Sequence, residues 1–255
     1  MDLLFTDLDG TLLDHQTYRW EAASPAIDRL QQLGIPWIFV TSKTRAEVEF
    51  WRRRMGNDHA FIVENGGAAY LPRLSGYEVL RWGTPYLELV SGLHRAARLS
   101  RCRVRDFHSM TGREIAELCG LPLAQAQLAR QREFDEPFLV LNPERAGELA
   151  EAIEGQGFHC TCGGRFWHIL GANDKALAVR VLIERFGAAR TMGLGDGLND
   201  ATFLNVVETP VLIRSPQLEQ LQALVPNATV TERAGPEGWN EAVLAWLDHL
   251  QMAPE

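Results

Sequence analysis

The chain has 255 residues, a formal net charge of −8 and 46% hydrophobic residues. That length holds one large domain or one domain with a smaller insert, and the composition excludes a disordered chain. The acidic balance argues against a nucleic-acid binder, and no apolar run is long enough to span a membrane.

Of the 25 basic side chains only Lys43 and Lys175 are lysine; the other 23 are arginine. The four cysteines, Cys102, Cys119, Cys160 and Cys162, complete no zinc pattern and read as free thiols. The N-terminal apolar run is broken by acids and has no basic lead-in, so it does not read as a signal peptide. A cytoplasmic protein is expected.

In chain order, residues 3–7 read as a short buried strand. Ser24-Pro25 opens a helix as cap and first-turn proline, and Gly34 closes it. Residues 35–40 form a second buried strand. Thr44-Arg45-Ala46-Glu47 is a capping box opening a helix to about Met55. Residues 60–63 form a third strand, ending in the turn Glu64-Asn65-Gly66-Gly67.

The middle places helices after Thr84-Pro85 and at a second capping box, Thr111-Gly112-Arg113-Glu114, with strands at 102–107, 138–142 and 158–162. Regular units then return: a helix over 174–186, a strand over 191–194, a helix from about Asp200, strands near Val211 and Thr229, and a last helix near 239–250. Strand–helix alternation of this kind predicts an α/β fold, a doubly wound, mainly parallel sheet. Residues 82–164 are expected as an inserted α/β cap, and 1–81 with 165–255 as the core. Trp37 and Trp246 read as core residues.

The chemistry concentrates at strand ends. Asp7-Leu8-Asp9-Gly10-Thr11 follows the first apolar strand, and alternation puts Asp7 and Asp9 on one side. Two such carboxylates repel unless a cation lies between them or one keeps a proton. Gly195-Asp196-Gly197-Leu198-Asn199-Asp200 repeats the arrangement after a later strand. Alone it reads equally well as a capped helix; with Asp7 and Asp9 it supplies the oxygens a hard cation such as Mg²⁺ takes. Ser42 and Lys43 offer a hydroxyl and an ammonium after the second strand. Lys175 stands at a helix start, against the dipole preference that puts cations at C-termini.

Asp7-x-Asp9-x-Thr11, Ser42, Lys175 and Gly195-Asp196-Gly197-x-Asn199-Asp200 together resemble, in order, the four motifs of the haloacid dehalogenase superfamily of phosphatases. The position of the insert resembles the subgroup with the second type of cap, an α/β lid. The strings at 40–45, 64–67, 132–138 and 163–168 resemble its mannosyl-3-phosphoglycerate phosphatase branch. That resemblance implies a Rossmann-like core and a Mg²⁺-dependent hydrolase that acts through an aspartyl-phosphate.

It implies catalytic roles for Asp7 and Asp9, and metal binding by Asp7, Asp9 (through its carbonyl), Asp196 and Asp200. Phosphate binding falls to Gly10, Ser42, Lys175 and Asn199. Substrate contacts fall to Lys43, Asn65, Arg132, Arg165 and His168. The partner implied is a phosphorylated sugar-glycerate, mannosyl or glucosyl. A sucrose- or hexose-phosphate hydrolase, a phosphomutase and a non-catalytic phosphosugar-binding module remain open at this stage, as does the oligomeric state.

Overall fold

The computed structural model describes residues 1–163 and 166–252. Its first elements are β1 (Asp2–Thr6), α1 (Ser24–Leu33), β2 (Trp37–Val40), α2 (Arg45–Met55), β3 (Phe61–Val63), β4 (Ala68–Pro72) and β5 (Tyr77–Arg81). Then come α3 (Tyr86–Ser100), β6 (Val104–Asp106), α4 (Gly112–Cys119), α5 (Leu123–Ala129), β7 (Asp135–Val140), α6 (Ala146–Glu154), β8 (His159–Gly163) and β9 (Phe166–Leu170). The chain ends with α7 (Lys175–Phe186), β10 (Arg190–Gly195), α8 (Ala201–Leu204), β11 (Thr209–Leu212), α9 (Leu218–Leu224), β12 (Thr229–Val230) and α10 (Gly235–Met252). The fold is α/β, with a mainly parallel main sheet.

The chain divides into two compact units. One comprises Met1–Thr41, His59–Ile62 and Lys175–Glu255; the other comprises Ser42–Asp58 and Val63–Asp174. In the first unit the strands run β12-β11-β10-β1-β2-β3, every pair parallel. Parallel strands are buried on both faces, and the sequence reflects it: Leu3, Leu4, Phe5, Trp37, Ile38, Phe39 and Val40 are all fully buried. The Trp37 and Trp239 rings pack edge to face at 6.5 Å. Trp246 is also buried.

The second unit holds an antiparallel sheet, β6-β7-β9-β8. Leu89 and Leu93 of α3 and Leu149 and Ile153 of α6 pack with Phe138 and Ile169 from this sheet. The hairpin β4–β5 pairs Ala68 with Arg81 through Pro72 with Tyr77.

Local signals formed most elements where expected. Thr44 and Thr111 make reciprocal capping boxes with Glu47 and Glu114, and Gly34 closes α1 in the left-handed conformation. Ser24 differs from expectation: it is not a cap. A 3₁₀ turn over Glu21–Ala23 runs directly into α1, so Ser24 already lies inside the helix. Asn240 of α10 instead takes the orphan amide of Ala26 at 3.0 Å, capping α1 from another helix.

Candidate active site

β1 delivers Asp7. The Asp7 amide continues the ladder, donating to the Leu194 carbonyl at 2.9 Å. β1 lies between β2, which follows it in sequence, and β10, which comes much later. The chain thus leaves this strand pair in opposite directions, and an open α/β sheet holds its ligand crevice at such a point. Asp7 and Asp196 stand just beyond the C-terminal ends of β1 and β10.

Asp7, Asp196 and Asp200 each offer a carboxylate oxygen, all within 4.8 Å of one another. Asp7 and Asp200 are buried. Burial, then the charge of Asp200, raises the Asp7 carboxyl well above the usual carboxylate range, with Lys175 opposing. The same two causes push Asp196 up to about 7, against a hydrogen bond from Thr11. Asp9 adds negative charge at both.

Lys175 is the first residue of α7 and is buried. Its Nζ lies 2.6 Å from Asp200 Oδ1 and 3.2 Å from Asp7 Oδ1. These carboxylates hold its ammonium charged, above its ordinary range, despite burial. They also explain a cation at the wrong end of a helix.

The turn around Asp196 is braced from several sides. Thr11 Oγ1 donates to Asp196 Oδ1 at 2.9 Å, and Ser215 Oγ donates to the Asp196 carbonyl at 2.8 Å. Asp200 Oδ2 accepts from the amides of Asp196 and Gly197, at 3.1 and 2.9 Å. Gly10 has φ +80°, and a Cβ there would overlap the Asp196 carboxylate, so the approach requires glycine. Behind β1, Trp239 Nε1 donates to Thr6 Oγ1, which donates to the Asp7 carbonyl. Asn199 is exposed on the same turn.

The second unit carries its own polar cluster. Asn65, Arg132 and His168, singled out separately in the sequence, converge on one buried carboxylate, Asp135. Asn65 Nδ2 donates to it at 3.1 Å, His168 Nδ1 lies at 2.9 Å, and Arg132 Nη1 at 3.6 Å. Burial opposes the charge, yet His168 and Arg132 hold the Asp135 carboxyl below its usual range. Arg132 Nη1 also donates to the Ser42 carbonyl at 2.9 Å. Arg132 further lines an open cavity of about 280 Å³ with Arg45, Ala46, Gln131 and Glu133. Lys43 is buried, its Nζ 3.6 Å from Glu47 Oε1. Arg165 lies outside the described residues.

Sequence reasoning missed Asp135 as the meeting point, and Glu64, whose fully buried carboxylate accepts backbone amides of Glu133 and Phe134. Its left-handed backbone, φ +49°, costs roughly 1–3 kcal/mol for a non-glycine residue. The only advance signal was the neighbouring Asn-Gly-Gly, which marks a turn but not the role of its first residue.

Comparison with known proteins agrees with this geometry. Residues 4–80 match the haloacid dehalogenase-like hydrolase family. A glucosyl-3-phosphoglycerate/mannosyl-3-phosphoglycerate phosphatase of Methanococcoides burtonii is 37% identical over 95% of this chain and 96% of its own. The chain belongs to the haloacid dehalogenase-like hydrolases. A phosphatase of the same description from Persephonella marina is 35% identical over 98% of each chain. The crystal structure of a haloacid dehalogenase-like hydrolase from Bacteroides thetaiotaomicron superposes with a TM-score of 0.73 at 17% identity, covering 96% of this chain and 99% of that one. That likeness concerns the fold. Among the described residues no helix is long and apolar enough to cross a membrane.

Proposed function

We propose that this hydrolase is a Mg²⁺-dependent phosphatase that removes phosphate from mannosyl-3-phosphoglycerate or its glucosyl counterpart, working in the cytoplasm. The observation that carries the chemistry is the buried cluster of Asp7, Asp196 and Asp200 around Lys175 at the ends of two adjacent parallel strands. The substrate class is supported by what the two curated relatives are named for.

A hard divalent cation suits this cluster. Its donors are all oxygen, and burial with mutual repulsion raises Asp7 and Asp196, a cost that a cation removes. Asp7, Asp196 and the Asp9 carbonyl would hold Mg²⁺. Asp200, both of whose oxygens already serve Lys175 and the turn amides, would stand behind them. When bound, Mg²⁺ supplies positive charge that offsets the phosphate's negative charge.

Asp7 is the nucleophile: its oxygen bonds to phosphorus as the bond from phosphorus to the glycerate oxygen breaks. Asp9 gives that departing oxygen a proton. As a carboxylate it then takes a proton from the water that hydrolyses the aspartyl-phosphate. Lys175, Ser42, Gly10 and Asn199 bind phosphoryl oxygens. Lys43, Asn65, Arg132, Arg165 and His168 contact the sugar and glycerate, with residues 82–164 as the specificity cap.

The test is phosphate release from mannosyl-3-phosphoglycerate, glucosyl-3-phosphoglycerate, sucrose-phosphate and mannose-6-phosphate, with Mg²⁺ and with a chelator. Release should be fastest from the first two and abolished by chelation. Preference for either of the others overturns the substrate assignment, and no release from any overturns the hydrolase.

A further inference from the structure

Glu64 has no part in the chemistry above, yet three separate segments of the second unit depend on it. Its amide donates to the Lys43 carbonyl at 3.1 Å, holding the segment that carries Ser42 and Lys43. Its carboxylate accepts the Glu133 amide at 3.0 and 3.1 Å and the Phe134 amide at 2.7 Å. Its carbonyl accepts Asn173 Nδ2 at 2.8 Å, and the same amide group donates to the Phe134 carbonyl at 2.8 Å. Arg132, next to Glu133, closes the circuit by donating to the Ser42 carbonyl. The result is a ring: 42–43 to Glu64, Glu64 to 133–134, and Arg132 back to 42.

Backbone conformation and packing are committed to the same ring. Glu64, Asn65 and Gly66 are consecutive left-handed residues, at φ +49°, +57° and +91°. This run aims the Glu64 side chain and the Asn65 side chain at neighbouring points of one segment, 133–135. Phe134 fills the space left by two glycines: a Cβ on Gly67 or Gly83 would stand 2.5 or 2.6 Å from the Phe134 Cβ. A strained glutamate persists where surrounding contacts over-determine it, and such sites cluster around function.

We infer that Glu64 is a positioning residue: its carboxylate sets the place of Arg132 for recognition of the non-phosphate half of the substrate, while its backbone amide, which a side-chain change leaves in place, holds the 42–43 segment. This rests on Arg132 contacting that half. Glu64→Gln keeps the shape but turns an amide donor toward backbone amides that also donate, so one partner is lost and a repulsion gained.

The experiment compares wild type, Glu64→Gln, Glu64→Asp, Arg132→Ala and the Glu64→Gln/Arg132→Ala double variant. KM and kcat are measured on mannosyl-3-phosphoglycerate and on p-nitrophenyl phosphate. Glu64→Gln should raise KM for the sugar-glycerate at least tenfold and leave p-nitrophenyl phosphate kinetics within about twofold. Its effect should be largely absent on the Arg132→Ala background. Glu64→Asp, one methylene short, should fall the same way, and it carries the test if Glu64→Gln fails to fold. Equal losses on both substrates, or full additivity with Arg132→Ala, overturn the inference. Amide exchange of 130–138 reads the positioning without any substrate. Protection there should fall at least tenfold in either variant while β1 and β10 stay protected, and unchanged protection overturns the inference. If wild type hydrolyses no sugar-glycerate, the functional reading fails by itself and exchange still decides the role of Glu64.

Discussion

Thr11 reaches across 185 residues of sequence to donate its hydroxyl to Asp196 at 2.9 Å. It thereby ties the loop after β1 to the loop after β10. Asp196 Oδ1 faces a donor whether or not a cation is present, so its orientation is fixed before any ion arrives. Outer hydrogen bonds of this kind are worth roughly 10–100-fold in metal affinity. Thr11→Val removes the hydroxyl and keeps the volume. Mg²⁺ titration of phosphatase activity should show the half-saturating concentration rising about tenfold or more, with activity largely recovered at saturating Mg²⁺.

Lys175→Arg tests why a chain so biased toward arginine keeps lysine here. The ammonium lies between Asp200 Oδ1 and Asp7 Oδ1, is almost wholly buried, and stands 5.8 Å from the Phe203 ring centroid. A planar guanidinium cannot take the place of a compact charge in that space. The arginine variant should lose at least 100-fold in kcat. Lys175→Met should instead leave two buried carboxylates without their cation, costing about 3–5 kcal/mol in urea unfolding without Mg²⁺. Mg²⁺ should restore part of that stability.

What the sequence made legible follows from the range of each signal. Capping boxes at Thr44 and Thr111, the closing Gly34, and acids after apolar strands are encoded within a few residues. Their elements appear as read. Ser24 misled because the competing 3₁₀ turn before it has no distinct signature, and the actual cap, Asn240, lies 214 residues from the Ala26 amide it accepts. The hairpin β4–β5 escaped because its strands are joined through residues 73–76 without the two-residue turn signal that marks a tight hairpin. In the first cluster, Asp7, Asp196, Asp200 and Lys175 were legible because each sits at a strand or helix end with an unusual charge. Asp135 and Glu64 were not: a lone acid carries no sign that three side chains or two amides will meet at it.

Glu136 offers a pH dependence. It faces away from Asp135 by strand alternation, is fully buried, and accepts the His108 amide at 2.8 Å and the Tyr86 hydroxyl. Burial, then Asp106 nearby, pushes its carboxyl from 4.5 up to about 8, with Tyr86, His108 and Arg132 opposing. The folded protein therefore holds a proton that the unfolded chain has released over this interval. Stability from this group is full below about 4.5 and is lost as pH rises toward 8. Glu136→Gln is neutral throughout. Urea unfolding at pH 5.5 to 8.5 should show the stability difference moving in favour of the variant with pH, by about 1.4 kcal/mol per unit where steepest. Parallel curves for the two proteins would refute this assignment.

The pair Arg132 and Asp135 separates recognition from support. Both side chains are buried, at 7% and 0% exposure, but they are not equally replaceable. Asp135 also serves Asn65 and His168, so Asp135→Ala strips three donors of their acceptor at once and leaves Arg132 buried without its carboxylate. Loss of one partner of a buried pair costs about 3–5 kcal/mol, and the variant should unfold at markedly lower urea. Arg132→Ala leaves Asp135 with His168 and Asn65 still in place, so the carboxylate keeps two partners and the stability loss should be smaller. If Arg132 also contacts the glycerate carboxylate, KM for mannosyl-3-phosphoglycerate should rise about tenfold or more in Arg132→Ala while p-nitrophenyl phosphate turnover holds within about twofold, since charge-assisted hydrogen bonds contribute roughly 1.5–3 kcal/mol. Steady-state kinetics on both substrates, beside urea unfolding of both variants, decide it: a kinetic loss that tracks stability across the two variants would assign Arg132 to support alone.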